Sequence, residues 1–213
     1  MSDVLESQTY VNNVCFNLLL QEIVPASVRV TQKLAETVNN EFTRDSDAQT
    51  RINTQLSDIV DDTPGKVAIF DSKLLNSEDV QLRVEGYGYD LGLRLTEVLM
   101  YKAATKLKIV DVLEIMKFIC RDVWRCLYSK QMDNLRTNHR GTFVLIDNKY
   151  KVTAGFSSEN GKADVVAKAR TYTYLPCGII RGILLSFGID AYVSADNSQF
   201  PAVSFNIQTT INN

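Results

Sequence analysis

The residues best equipped for covalent chemistry are four cysteines, Cys15, Cys120, Cys126 and Cys177, and a single histidine, His139. A thiolate nucleophile needs a base within hydrogen-bond reach and a third group to orient that base. His139, with Asn134 or Asn138, supplies residue types that fit. Cys120, Cys126 and Cys177, however, fall in apolar, helix-like text, a setting that raises a thiol pKa and shields the sulfur. Reduced, mostly buried structural thiols are therefore expected. The sequence has no C-x-x-C pair and no cysteines at zinc spacing around His139, so no metal site and no cofactor is expected.

Two other stretches invite a ligand. GYGYDLG suggests a dinucleotide loop, but Gly86, Gly88 and Gly92 are spaced one residue too widely for that fingerprint and sit inside a helical pattern. KQMDNLRTNHRGTFVLI, residues 130 to 146, sets His139 between Arg136 and Arg140. Two arginines in one loop are not a phosphate site without more. A net charge of -2 and a pI near 5.5 give no basic field for a nucleic acid. With no nucleophile elbow, P-loop or H-E-x-x-H helix in the text, no catalytic residue is expected. Asp133 and Asn134 are the types that stop a helix and shape a turn, and His139 is expected to be a corner residue before the apolar run.

At 213 residues, 45% hydrophobic and 23% charged, the chain suits one well-filled domain spanning residues 1 to 213. It has no unbroken apolar run of 18 residues, and MSDVLESQTYVNN lacks signal-peptide features, so a cytoplasmic protein is expected. Val11, Val14, Cys15, Leu18, Leu19 and Ile23 predict a first helix from about Gln8 to Val38, kinked at Pro25. Residues 38 to 64 form a polar insertion or linker closed by Pro64 and Gly65.

Ser77 before Glu78 and Asp79 predicts the N-cap of a second helix, running to about Lys102. Its three glycines cost roughly 3 kcal/mol against alanine, a loss that close approach of another backbone at Gly88 and Gly92 would offset. The third helix, Ile109 to about Ser129, has an apolar arc of roughly 200°, wider than the ~100° that covers one side of a core. Phe118 falls on its polar arc, where water or a partner would meet it. TFVLI and YKVTAGF, separated by Asp147, Asn148 and Lys149, predict a hairpin. PCGIIRGILLSFG predicts a short buried helix from Pro176 to Gly188 whose Arg181 seeks a carboxylate or carbonyls. AYVSA and the alternating Val203, Phe205 and Ile207 predict a second hairpin. The order helix, helix, helix, hairpin, helix, hairpin implies an α+β fold, with helices on one face of a twisted antiparallel four-stranded sheet.

IMKFICRDVW (115 to 124), KQMDNLRTNHRGTFVLIDNKY (130 to 150), PCGIIRGILLSFGI (176 to 189) and PAVSFNIQ (201 to 208) together resemble the subunit 6, or 33-kDa subunit, family of the transport protein particle (TRAPP) complex. The resemblance spans nearly all of residues 84 to 211, and KQ-x-DNLRTNH-x-G is specific to that subunit. GYDLGLRLTE, residues 88 to 97, is similar to the second-helix motif of the wider small-subunit family.

The resemblance implies the same α+β fold and a non-catalytic adaptor. It implies a heterodimer with a paralogous small TRAPP subunit, made through the first two helices, and further contact with larger TRAPP subunits. The assembled core acts as a tether and guanine-nucleotide exchange factor for Rab GTPases in ER-to-Golgi and Golgi traffic. The chain would then meet a Rab GTPase only through the complex, and would lie in the cytoplasm, peripherally on Golgi membranes, with indirect membrane contact. Carried over by position, partner contacts fall on Val14, Leu18 and Leu19 of the first helix and Leu91, Leu95 and Val98 of the second. The signature turn comprises Asp133, Asn134, Leu135, Arg136, Asn138 and His139. Two departures stand out: YKAATKLK (101 to 108) contains no cysteine where a paralogue carries an acylated one, and the 38 to 64 insertion is longer than in compact relatives. The alternative is a stand-alone module that binds an apolar small ligand in a cavity between helices and sheet.

Overall fold

The computed structural model describes residues 12–42, 68–103, 111–138 and 141–210. His139, Arg140 and nearly all of the polar insertion lie outside them. The first helix, α1 (Asn13–Phe42), opens after Asn12, whose side-chain oxygen accepts from the Val14 N–H at 2.8 Å. Pro25 lies inside it, and the helix is continuous through that position. Leu20, Val24, Ser27, Val28 and Thr31 form its buried face, at the three- and four-residue steps of an amphipathic helix.

After two short 3-10 turns, Ala68–Asp71 and Lys73–Asn76, helix α2 (Glu78–Ala103) begins as predicted. The Ser77 hydroxyl accepts from the Val80 N–H, and Glu78 and Asp79 stand in the first turn, complementing the exposed amides there.

The predicted third helix is a composite of α3 (Val112–Phe118), a π-helical turn (Ile119–Val123) and α4 (Trp124–Tyr128). Asp111 caps it by accepting from the Glu114 N–H at 2.8 Å. Ser129, at φ 60°, ends it, so the stop comes before Asp133 and Asn134. The Cys120 carbonyl, within the π turn, accepts from the returning Met132 N–H at 3.0 Å. Phe118 is buried, not exposed on a polar arc: Phe187, just past the last helix, meets its ring edge to face at 6.2 Å.

The sheet order is β1 (Asn134–Thr137), β2 (Thr142–Asp147), β4 (Val203–Thr209), β3 (Ala191–Asp196), all antiparallel. TFVLI pairs with NLRT and not with the expected YKVTAGF. β2 is a central strand whose sides are taken by β1 and β4, so YKVTAGF finds no edge to join. It folds instead into turns, with the Thr153 and Ala154 N–H groups donating to the Tyr150 carbonyl. The first hairpin is therefore NLRT with TFVLID.

Helix α5 (Lys162–Arg170), which the sequence reading missed, offers only Val165 and Ala169 to the interior. A 3-10 turn, Thr171–Thr173, leads into α6 (Tyr174–Ser186). That helix has Pro176 in its first turn and Gly188 at φ 76° beyond its end, as predicted. Phe143, Leu145, Val193, Val203, Phe205 and Ile207 project from one face of the sheet into the core shared with the helices. The fold is α+β.

Candidate protein-interaction surfaces

Cys120 and Cys177 lie in settings that hold the thiol protonated. Burial pushes the Cys120 thiol up to about 12, and the Cys177 thiol also lies above its ordinary range, through burial and then the nearby Glu85 charge. Cys15 and Cys126 are exposed, which corrects the expectation that Cys126 is shielded: α4 turns Trp124, Leu127 and Tyr128 inward and leaves position 126 outside. Among the described residues, no three His, Cys, Asp or Glu side chains gather as metal ligands do.

The six expected partner contacts divide in two. Val14, Leu18 and Leu19 on α1 and Val98 on α2 are 52% to 60% exposed, whereas Leu91 and Leu95 are half-buried and pack against the core. The two helices meet where Arg83 Nε donates to the Thr31 hydroxyl. Sequence reasoning missed Val30 and Leu34 on α1 and Tyr87 and Tyr101 on α2, all exposed. The signal was present in α2, where Tyr87, Leu91, Val98 and Tyr101 recur at helical spacing. So many large apolar side chains in water on two adjoining helices form an apolar surface of the kind found at protein interfaces. By length and composition residues Asn13–Ala35 also pass as a membrane-crossing helix. The buried face of α1 nevertheless lies in the domain core, and Arg29 pairs with Glu22 on its surface.

The signature turn is mostly framework. Asp147 at the end of β2 has a fully buried side chain that pairs with Lys130 and accepts from Trp124 Nε1 at 2.8 Å and the Lys149 N–H at 2.9 Å. Lys130 Nζ also donates to the Lys149 carbonyl at 2.9 Å. Asp133 donates its N–H to the Ile146 carbonyl at 2.9 Å and accepts from the Asn148 N–H at 2.7 Å. Asn138 closes the far end, its side-chain oxygen accepting from the Thr142 N–H at 3.1 Å. Leu135 packs inward, while Asn134 and Arg136 are exposed on the outer face of the sheet. The described part of this turn joins the end of the composite helix to the sheet.

Arg181 meets the expected carboxylate, Glu85, and lies over the Tyr89 ring, 5.3 Å from its centroid.

A family model described as transport protein particle (TRAPP) component matches residues 16–211. Human trafficking protein particle complex subunit 6B is 40% identical over 125 residues, 59% of this chain and 75% of that protein. Human trafficking protein particle complex subunit 6A is 35% identical over 124 residues, 58% of this chain and 74% of that protein. Among solved structures, trafficking protein particle complex subunit 3 from Naegleria fowleri, covalently bound to palmitic acid, superposes with a TM-score of 0.54 at 14% identity. It covers 76% of this chain and 98% of that one, a likeness of fold.

Proposed function

The chain belongs to the TRAPP component family, within its subunit 6 branch, and from that premise we propose that it is a non-catalytic adaptor that heterodimerises with a paralogous small subunit through α1 and α2. Residues 1 to 213 then form one small-subunit domain, with 38 to 64 as an insertion between its first two helices. The heterodimer enters a core that, once assembled, acts as a guanine-nucleotide exchange factor for Rab GTPases in ER-to-Golgi and Golgi traffic. The chain works in the cytoplasm, peripherally at those membranes.

The observation that carries this reading is the apolar surface of α1 and α2, with Val14, Leu18, Leu19 and Val98 more than half exposed. Water around such side chains is unfavourable by about 25 cal/mol per Å² of apolar area, and a paralogue's matching helices would exclude it. The competing small-ligand reading has weaker support, because the groove between the helices and the β3 edge is lined by the charged Glu85, Arg170 and Arg181, which do not suit an apolar ligand.

The test is co-expression of the full chain with a paralogous small subunit, followed by sedimentation. A one-to-one heterodimer that Leu18→Asp with Val98→Asp dissociates at least about 30-fold more readily supports the reading. A stable monomer indifferent to the paralogue refutes it.

A further inference from the structure

The two edges of the sheet are not alike. β1 is four residues long and carries Arg136, and shortness and charge both discourage pairing with another chain. β3 is six residues, AYVSAD, with no proline and no lysine, and its register with β4 runs from Ala191 to Asp196 without a bulge. The Thr210 N–H donates to the Asp190 carbonyl, while the Thr209 N–H turns the other way, to Gly141. Antiparallel alternation then directs Tyr192 and Ser194 toward β4 and leaves the N–H and C=O groups of Ala191, Val193 and Ala195 facing outward. Beside this edge lies a groove of about 650 Å³, walled on the far side by Glu85, Arg170, Tyr174 and Arg181.

We propose that the outer edge of β3 receives an extended segment of another polypeptide, which joins the sheet as a fifth strand and carries basic residues across from Asp190 and Asp196. Strand addition of this kind takes its affinity from backbone hydrogen bonds and its selectivity from alternate side chains. The alternation sets Asp190 and Asp196 on the same outer face as the exposed Tyr192, and among the described residues neither carboxylate has a cationic partner. Their separation along the strand asks for basic side chains at positions i and i+6 of the incoming segment. On the inner face, Arg170 has no carboxylate partner among the described residues and fits an acidic side chain there. A second copy of this chain fits poorly: full overlap of two β3 strands sets Asp190 across from Asp196 twice, and like charges directly opposite repel. This surface lies on the sheet, apart from the apolar positions on α1 and α2, and does not depend on them.

The experiment is hydrogen exchange on the TRAPP assembly purified through a tag on this chain, compared with the isolated chain. The amides of Ala191, Val193 and Ala195 are expected to exchange at least about tenfold more slowly in the assembly. Ala195→Pro removes only an outward N–H, which an edge strand tolerates, and it should abolish that slowing. Asp190→Lys with Asp196→Lys should reduce it while leaving the melt of the isolated chain within a few degrees, so a poorly folded proline variant does not decide the matter. Equal exchange in both samples overturns the proposal, and so does slowing that survives both sets of substitutions. Concentration-dependent slowing in the isolated chain assigns the edge to a second copy and overturns it as well. Protection of α1 and α2 amides in the same samples reports on the heterodimer separately, so either idea can fail alone.

Discussion

Gly92 of α2 and Ile179 of α6 meet backbone to backbone: a Cβ on Gly92 would stand 2.3 Å from the Ile179 carbonyl oxygen. The contact is reciprocal. A Cβ on Gly88 would lie 2.1 Å from the Leu175 carbonyl oxygen, and Cβ atoms on Gly178 and Gly182 would lie 2.0 and 2.2 Å from those of Glu85 and Tyr89. Gly92→Ala must therefore separate two helices, not shift one side chain, and should destabilise the chain by about 2–3 kcal/mol or more. Gly86 has nothing within 4 Å of its would-be Cβ, so Gly86→Ala should instead stabilise by up to about 1 kcal/mol. Denaturant melts of the two variants check both signs.

That contact shows how far the sequence could be read. Three glycines in a helical pattern demanded an offsetting interaction, and close approach at Gly88 and Gly92 followed from the text. Their partners Gly178 and Gly182 were passed over, since only the crossing of two distant helices reveals that they are its other half. Phe118 misled because angular reckoning on one helix cannot register Phe187 arriving from another. YKVTAGF misled because strand propensity does not say whether a neighbouring edge is free. In the signature turn, Asp133 was legible as a turn former, whereas Asn134, read the same way, opens β1, and the capping role of Asn138 was not foreseen. The burial of Asp147, which gives Lys130 its purpose, depends on Trp124 twenty-three positions away.

Lys130 neutralises a carboxylate that water does not reach. Its own side chain is 31% exposed and that of Asp147 is 0% exposed, so the loss on Lys130→Ala should fall somewhat below the ~3–5 kcal/mol of a wholly buried pair, at about 2 kcal/mol or more. Adding Asp147→Asn removes the stranded charge and should recover part of that loss. A double-mutant cycle from thermal or urea melts measures the coupling; strict additivity would show that the pair is idle.

The cysteines should separate by accessibility and by pH. At neutral pH a maleimide should modify Cys15 and Cys126 and spare Cys120 and Cys177, as mass spectrometry after labelling will show. Burial raises the Cys120 thiol from 9.0 to about 12, so the folded chain holds its proton after the unfolded chain has released it. That contribution to stability is complete below about pH 8.5–9 and is lost progressively as pH rises toward the folded value. Cys120→Ala should accordingly flatten the decline in stability measured between about pH 9 and pH 11.

Leu19 and Leu20 are sequence neighbours with opposite tasks, the first 60% and the second 4% exposed. Leu20 packs in the core with Val24 and Val28, so Leu20→Ala should lower the stability of the isolated chain by about 2–4 kcal/mol through lost burial and the cavity left behind. Leu19→Asp removes a side chain already in water and should move the isolated chain's stability by no more than about 0.5 kcal/mol. In the presence of the paralogous subunit the ranking should invert: the charge at position 19 would be desolvated at the joint, and sedimentation should show the heterodimer weakened by at least about 2 kcal/mol. Leu20→Ala should leave association of the still-folded fraction nearly unchanged. If both substitutions act only on the melt, α1 does not carry the joint.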